Sequence, residues 1–301
     1  MSGYIYEIFG YRVNDESDIA RSYAAKKICP FLGTQCTKVL SRDRTIAGVC
    51  SVHQKKDKTP VICCPIRMYA DDYAMLKRIA NIAFRQDLPL FSGRLAVSEA
   101  RKNNGAIAVF GHGWGGELRL PNRNGAGSYF VDWILAHLDG NGKLEDFTAI
   151  EVQTVDTTGS YRVAREEAIA NRHSIPDTLG LNWENVSKRI IPQLIYKGQV
   201  LQREELCRTG LFFVCPSPIF ARVLTRLGGR DNLPAFPMQP ASINFIGYDY
   251  IKEPTEDGHV LPLGIIERHS TTVYKIQEAF SSVSLPDGNV YRDAILKALY
   301  E

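Results

Sequence analysis

Residues 147–155 read FTAIEVQTV, and this stretch gives the clearest strand signal in the chain. Successive side chains of a strand point to opposite faces, so Glu151 and Gln153 share one face. Ile150 and Val152 lie on the other. The pattern therefore predicts a strand with one apolar face and one face that carries a carboxylate and an amide. The edge of an active site has this pattern, and so does a half-exposed strand.

Strand and helix signals alternate on both sides of this stretch. The predicted strands are 106–110, 147–155, 210–215, 243–251 and 260–266, and the predicted helices are 71–84, 161–172, 182–207, 216–227, 273–280 and 291–300. Asn182 is a candidate N-cap, and Pro192 should kink or divide the longest helix. Residues 117–120 are a weaker strand candidate, and 129–138 can be extended or can begin a helix. Strands interleaved with helices predict an α/β (α+β) core with a mixed central sheet flanked by helices.

The bulk composition is that of an ordinary globular protein. Apolar residues make up 45% and charged residues 23% of the 301 residues, which suffice for one large domain or two modest ones. No apolar run approaches the roughly 18 residues of a transmembrane helix, and residues 1–13 do not resemble a secretory signal. The sequence therefore predicts a cytoplasmic protein.

Basic residues are concentrated in one N-terminal segment, although the net charge is only +3. Segment 26–58 has two acidic residues, Asp43 and Asp57, against eight basic ones: Lys26, Lys27, Lys38, Arg42, Arg44, Lys55, Lys56 and Lys58. A local excess of this size can attract a polyanion such as DNA. Charge alone, however, favours an ordinary solvated surface.

Five of the seven cysteines lie between positions 29 and 64, which in a cytosolic chain indicates a metal site rather than disulfides. Four thiolates can close a tetrahedral shell around zinc or a single iron, as in structural sites. The candidate ligands are Cys29, Cys36, Cys50 and Cys64. Their spacing lacks paired C-x-x-C motifs, the adjacent Cys63 leaves the fourth ligand ambiguous, and a set of small buried thiols is the alternative. We predict a four-cysteine module over residues 1–90 and a catalytic core over residues 91–301.

The carboxylates of Asp132 and Glu151, with eighteen residues between them, could hold Mg²⁺ for phosphodiester hydrolysis. Gln153 lies on the same strand face as Glu151 and could orient the attacking water. Most nucleases of this architecture have a lysine there, so a nearby cation such as Arg162 or Lys188 would have to supply the positive charge. On its own the spacing is a weak signal and favours surface carboxylates on a strand.

The glycine-rich stretch GHGWGG at 111–116 lacks the Lys-Ser/Thr of a P-loop and predicts a tight turn. Such a turn would let Glu117 approach the sheet, where it could add a third carboxylate to the site. An ordinary exposed glutamate explains this residue equally well.

Short motifs in one order along residues 9–220 resemble the NotI-type type II restriction endonucleases. The N-terminal matches are Phe9-Gly10-Tyr11-Arg12-Val13, Cys29-Pro30-Phe31, Gly48-Val49-Cys50 and Cys64-Pro65. The central matches are Gly115-Gly116-Glu117-Leu118, Asp132-Trp133, Glu151-Val152-Gln153-Thr154 and Gly159-Ser160-Tyr161. The later matches are Asn185-Val186, Lys188-Arg189, Gln193, Tyr196-Lys197, Thr209-Gly210 and Phe213. Chance would rarely produce such an ordered series, and residues 221–301 carry no motif that extends it.

The resemblance implies a core of the PD-(D/E)xK nuclease superfamily that uses Mg²⁺. It also implies that Asp132, Glu151 and Gln153 are the active residues, with Glu117 as a weaker addition. Because glutamine in the lysine place is part of the resemblance, Gln153 is compatible with an active enzyme. The four-cysteine site of the family holds one iron with a mainly structural role, and the match at Cys64-Pro65 implies that Cys64 is its fourth ligand.

Such enzymes act as homodimers on palindromic duplex DNA, with one active site for each strand. Side chains in the major groove would read the bases, and basic residues would fix the register on phosphates. We therefore expect a type II site-specific deoxyribonuclease. The alternatives are a metal-stabilised sequence-specific DNA-binding protein that lacks nuclease activity, and a globular protein unrelated to DNA whose cysteines are coincidental.

Overall fold

The computed structural model describes residues 3–40, 44–54, 59–118, 130–251, 256–282 and 287–300. Its first elements are β1 (Gly3–Ile8), β2 (Tyr11–Arg12), α1 (Asp18–Lys26), β3 (Ile28–Cys29), β4 (Thr34–Gln35), β5 (Val49–Gln54) and β6 (Val61–Ile62). They form an antiparallel sheet in the order β2-β1-β5-β6 and a separate β3-β4 hairpin. The sequence did not predict these strands. Most are only two residues long, and β5 is buried at five of its six positions, so no alternation shows.

A 3-10 turn (Pro65–Tyr69) leads into the rest of the chain. The elements that follow are α2 (Ala70–Phe84), β7 (Leu90–Ser92), α3 (Leu95–Asn103), β8 (Ala106–Gly111), β9 (Trp133–Leu138), β10 (Leu144–Val152), β11 (Thr157–Thr158), α4 (Arg162–Ala170), β12 (Gly180–Leu181), a π turn (Val186–Ile190), α5 (Ile191–Leu201), β13 (Leu211–Pro216), α6 (Ser217–Arg226), β14 (Ser242–Tyr250), β15 (Leu263–Thr272), α7 (Val273–Ser281) and α8 (Val290–Tyr300).

Seven strands form the central sheet, in the order β15-β14-β13-β10-β9-β8-β7. Strands β10, β13 and β14 are parallel, as are β7 and β8, whereas β9 and β15 run antiparallel to their neighbours. Helices α4, α5 and α6 lie in the crossovers that parallel strands require. The predicted mixed central sheet flanked by helices is confirmed.

The two faces of β10 pack into different core clusters. Ala149 packs in a cluster that includes buried residues of α4, α5, α6 and α7 together with the N-terminal sheet. Ile150 and Val152 pack on the opposite side, in a cluster that includes α2. The alternation predicted for 147–155 is confirmed for the residues within the strand, and Glu151 faces the side of α5. The strand itself ends at Val152, three residues earlier than predicted.

The long helix predicted over 182–207 is divided at Pro192, as the sequence indicated. The π turn precedes α5, and its closing hydrogen bond spans five residues. Proline has no N–H, and in a regular α-helix its ring clashes with the carbonyl four residues earlier, so a wider turn relieves the crowding. The first helical residue is Glu184, two positions beyond Asn182, and the described hydrogen bonds of Asn182 use only its backbone, so the prediction that Asn182 caps the helix is wrong.

Three other boundaries differ from the predictions. Segment 129–138 contains strand β9 and not the start of a helix, and residue 129 lies outside the described residues. Glu117 and Leu118 belong to neither helix nor strand, and residues 119–120 are also outside the described range. In α2, Asp71, Asp72 and Tyr73 have φ of 57°, 51° and 59°, so right-handed helix begins only after them.

A boundary near residue 90 stays a prediction. Buried residues on both sides of it share clusters, since Ile5 and Val52 pack with Ala149 and Tyr161, and Leu76 packs with the central sheet. Among the described residues, no helix is long and apolar enough to cross a membrane.

Candidate active site and cysteine module

Strands β9 and β10 bring two carboxylates together at one end of their ladder. Ile150 pairs with Trp133 in antiparallel register, so Asp132, just before β9, lies opposite Glu151. The Asp132 Oδ2 atom accepts a hydrogen bond of 2.7 Å from the backbone N–H of Val152. Residues separated by eighteen positions in the sequence thus meet in space, as a common site for one cation requires.

The electrostatics of this carboxylate pair favour a bound cation. Burial of the Asp132 carboxyl group and the negative charge of Glu151 raise the pKa of Asp132 to about 7. The Asp132 side chain is exposed to solvent, which weakens the effect of burial on its pKa. We therefore expect the repulsion from Glu151 to account for most of the rise in the pKa. Glu151 is only 4% exposed. The two carboxylates repel each other. A divalent cation bound between them would remove that repulsion, so the pair suits such a cation.

Gln153 is held against the same carboxylate. Its Nε2 atom donates a hydrogen bond of 3.0 Å to Glu151 Oε1, and its backbone N–H donates to the Val214 carbonyl at 2.9 Å. The second bond fixes the chain just beyond the end of β10. The Gln153 amide therefore lies beside the carboxylates, where it could orient a water molecule.

A lysine that the sequence did not single out for this purpose lies beside Glu151. Lys197 of α5 places its Nζ atom 2.5 Å from Glu151 Oε2, and its side chain is only 12% exposed. The expected cations lie elsewhere. Lys188 pairs with Glu184 at 2.5 Å, and Arg162 donates to Glu166 at 2.9 Å on the surface of α4.

The sequence contains one signal for Lys197. This lysine stands in the apolar helix segment IPQLIYKGQVL, next to the buried Gly198 and near the buried Leu194 and Leu201. A lysine close to the buried side of a helix needs an anionic partner in the core. Its position predicts a buried ion pair, although only the fold shows that the partner is Glu151.

Glu117 lies at the margin of this site. Its side chain is 52% exposed, and its Oε1 atom is 4.0 Å from His112 Nδ1. Its charge also raises the pKa of Asp132, but as the weakest of the named causes. The preceding turn has the tight geometry that its glycines predict, since Gly111 and Trp114 exchange backbone hydrogen bonds and Gly115 has a φ of 68°. A role for Glu117 in catalysis stays a prediction.

The four cysteines of the resemblance line one small cavity of about 10 Å³. This is about the room that one water-sized particle needs. Burial raises the pKa of the Cys29 and Cys50 thiols, and it raises that of Cys64 to about 11. Within the described parts of the chain, however, no group of three or more His, Cys, Asp or Glu side chains is arranged to hold a metal ion. The thiols share a cavity but are not drawn into a coordination shell.

The adjacent cysteines Cys63 and Cys64 have different surroundings. The Cys63 Sγ atom is 3.4 Å from Lys38 Nζ, which also donates a hydrogen bond of 2.7 Å to the Cys63 carbonyl. Cys63 is not among the residues described as lining the cavity, whereas Cys64 is. The geometry therefore agrees with the resemblance in separating these adjacent cysteines, and the ligand set itself stays a prediction.

A cleft of about 530 Å³ extends from Asp132 to Cys63 and Cys64 of the cysteine module. One wall consists of Thr37, Lys38, Cys63, Cys64, Pro65, Ile66 and Tyr69, and the other residues around it are His112, Asp132, Val152, Gln153, Thr154, Asp156, Asn185, Arg189, Ile190 and Gln193. Of the basic N-terminal segment, Lys38 lines this cleft, while Lys26, Lys27 and Arg44 are exposed. The remaining basic residues, Arg42, Lys55, Lys56 and Lys58, lie outside the described residues.

Comparison with known proteins adds an independent finding. A family model described as "Restriction endonuclease NotI" matches residues 7–206, which is 200 of the 301 residues. A search of curated proteins gave no match. The match contains the carboxylates, Lys197, and all four cysteines of the cavity. The chain therefore belongs to the NotI restriction endonuclease family.

Proposed function

We propose that this chain is a type II site-specific deoxyribonuclease that hydrolyses phosphodiester bonds of duplex DNA at a palindromic site with Mg²⁺. Its family implies sequence-specific cleavage of DNA, and so a nuclease. The observation that supports the finer proposal is the meeting of Asp132, Glu151 and Lys197 beside a cleft of about 530 Å³. Two carboxylates and one buried cation at a strand end suit metal-assisted phosphodiester hydrolysis.

Each residue would have a distinct task. Asp132 and Glu151 would hold Mg²⁺, which when bound polarises the phosphate and lowers the pKa of the attacking water. Gln153 accepts or donates at the position where that water must be oriented. Lys197 keeps a fixed positive charge next to Glu151, close to where negative charge grows in the transition state. Most nucleases of this architecture have a lysine on the strand where this chain has Gln153. Lys197 of α5 would provide the positive charge in its stead.

We also propose that Cys29, Cys36, Cys50 and Cys64 hold one iron (or zinc) ion in a structural site. Their shared cavity supports this, because four thiolates around one small cavity can close a tetrahedral shell about a single cation. A matched pair of variants tests it. Cys64→Ser should lose the metal in elemental analysis of the purified protein, whereas Cys63→Ser should retain it. Equal metal content in both variants would contradict this ligand set.

Cleavage of both strands requires two such sites, and the chain brings together one Asp132–Glu151 pair. We therefore propose a homodimer whose two-fold axis matches the palindrome, with the module of residues 1–90 contacting DNA and residues 91–301 forming the catalytic core. A restriction enzyme must meet its DNA inside the cell, so the proposed compartment is the cytoplasm. Light scattering of the protein alone and on duplex DNA would measure the number of copies.

The first test is incubation with phage-sized duplex DNA and Mg²⁺, followed by gel analysis. Discrete bands are expected for wild type, and Asp132→Ala and Glu151→Ala should give none while still retaining DNA in a binding gel. Cleavage that persists in both variants would contradict the assigned site. The alternative, a DNA-binding protein without nuclease activity, was motivated by Gln153 and predicts sequence-selective retention with no nicking by wild type under any divalent metal.

A further inference from the structure

One face of the helical segment that leads to the active site carries polar side chains at regular spacing. Asn185, Arg189, Gln193 and Lys197 follow one another at intervals of four residues. The first three line the cleft, and the fourth forms the ion pair with Glu151. This row of residues therefore runs from the mouth of the cleft to the carboxylates.

The π turn keeps this row on one side of the helix. In a regular α-helix a step of four residues overshoots a full turn by about 40°, so the row would wind away from the cleft. A π turn contains more residues per turn, and the same step falls short of a full turn there. Because the π turn (Val186–Ile190) takes up the step from Asn185 to Arg189, and α5 (Ile191–Leu201) contains the step from Gln193 to Lys197, the two deviations oppose each other. Pro192 disfavours regular α-helix in the turn before it, and it thereby helps to keep the row of polar residues facing the cleft.

An acidic residue holds two members of the row. Asp156 Oδ2 accepts a hydrogen bond of 2.9 Å from Asn185 Nδ2 and lies 3.9 Å from Arg189 Nη1. Asp156 also lines the cleft. A carboxylate in this place would repel a DNA phosphate, whereas base edges in the major groove are uncharged and offer both donors and acceptors.

The types of side chain and their extent suit base recognition. Arginine binds the O6 and N7 atoms of guanine with two hydrogen bonds, and asparagine or glutamine binds adenine in the same way. From Asn185 to Gln193 the helix rises about 12 Å, at about 1.5 Å per residue. That length covers roughly three to four base pairs at about 3.4 Å each.

We propose that Asn185, Arg189 and Gln193 are a base-reading face that contacts the target sequence beside the phosphate to be cut. This inference rests on the proposed DNA-cleaving function. It assigns to one helical segment both the buried cation of the active site and the reading of neighbouring bases. The recognition of the DNA sequence and the cleavage of its phosphate would then be coupled through one helical segment, the π turn and α5.

The test compares the wild type with Arg189→Ala, Arg189→Lys and Gln193→Ala. The wild-type target is mapped on cleaved phage DNA, and cleavage rates are then measured on that target and on each of its single-base-pair variants. For each Ala variant, the preference at one or two positions should fall by roughly 5- to 150-fold, with other positions unchanged. Arg189→Lys should lose the same preference, because lysine retains the charge but not the two-pronged guanidinium.

The matched control is Lys188→Ala. Lys188 is the neighbour of Arg189, pairs with Glu184 at 2.5 Å and is not one of the described cleft residues. This variant should keep every sequence preference. If Arg189→Ala slows cleavage of all targets equally, and Arg189→Lys restores the rate, the residue contacts phosphate and the inference is wrong. A wild type that cuts no duplex would instead overturn the DNA-cleaving function itself, so the two failures are distinguishable.

Discussion

Glu7 and Glu151 are both buried glutamates with a cationic partner, yet their surroundings differ. The Glu7 carboxylate accepts hydrogen bonds from Arg67 at 3.0–3.2 Å, from Ser51 Oγ at 3.0 Å and from Tyr250 Oη at 2.5 Å. Arg67 and Glu7 are both fully buried. This network ties β1 and β5 of the N-terminal sheet to β14 of the central sheet, and its charges are balanced.

The cluster around Glu151 is unbalanced. Lys197 provides one positive charge beside two carboxylates, and burial together with Glu151 raises the pKa of Asp132. A buried structural ion pair is stable when each charge has an opposite charge beside it. A cluster of charges at a catalytic site, in contrast, often has an excess charge that is neutralised only when a ligand binds. Glu7 and Arg67 therefore form a balanced pair that holds the fold, whereas the Glu151 cluster keeps an excess negative charge. If the proposed function is right, mutations at the first place should lower stability and mutations at the second should lower cleavage.

The largest effect is expected for Asp132→Asn on activity. Loss of a metal-binding carboxylate should lower the cleavage rate by roughly 10³-fold or more, because the cation contributes several kcal/mol to transition-state stabilisation. At pH 8 without divalent metal, the same variant should unfold at an equal or higher temperature, because it removes a like charge beside Glu151. Rates from gel assays and melting by circular dichroism measure the two quantities. If Asp132→Asn also lowers the melting temperature, Asp132 stabilises the fold, as Glu7 and Arg67 do.

Lys197→Met tests the cation beside the carboxylates. We expect cleavage to fall by about 10²-fold, comparable to removal of one preorganised donor from a catalytic site. Lys197→Arg should recover part of the rate, since it keeps the charge. Lys188→Met, which removes a surface lysine from the preceding turn, serves as the control and should leave cleavage unchanged. Equal rates for Lys197→Met and wild type would show that the pair with Glu151 is structural.

Glu7→Gln should act on stability and not on chemistry. It leaves the Arg67 guanidinium buried without its counter-charge, which we expect to lower the free energy of unfolding by about 3–5 kcal/mol. The fraction that remains folded should cleave DNA at the wild-type rate per folded molecule. Urea denaturation combined with active-site titration checks both statements. A stability loss under about 1 kcal/mol would contradict the role assigned to this network.

Asp15→Asn should give the smallest effect, with a characteristic pH dependence. Burial raises the pKa of Asp15, but hydrogen bonds from Ser17 and Gly258 outweigh it and hold the pKa below its usual value. The ionised form therefore stabilises the fold above the unfolded pKa of about 4, and this contribution disappears as the pH falls through the lower folded pKa. We expect a loss of about 1–2 kcal/mol at pH 7. The gap between variant and wild type in denaturation curves should narrow below about pH 4; a constant gap would argue against an ionic origin.

The central sheet could be predicted from the sequence because its strands are long enough to show their patterns. Segment 147–155 alternates visibly, 210–215 is a nearly continuous apolar run that forms β13, and 243–251 is rich in β-branched and aromatic residues and forms β14. The N-terminal sheet and the β3-β4 hairpin could not be predicted in this way, since β2, β3, β4 and β6 have two residues each. Strands this short exist because their neighbours pair with them, and local periodicity carries no trace of that pairing.

The candidate site also has a part that the sequence predicted and a part that it did not. The resemblance to a known family selected Asp132, Glu151, Gln153 and the four cysteines as candidates, because residue types and short motifs are local properties of the sequence, although the spacing by itself was a weak signal. The sequence also determined that Pro192 would interrupt its helix. Only the tertiary structure decided that Lys197, and not Arg162 or Lys188, is the cation beside Glu151. The physical reason is that an ion pair depends on the distance across a sheet–helix interface, and that distance is set by how β10 and α5 pack and not by their separation along the chain.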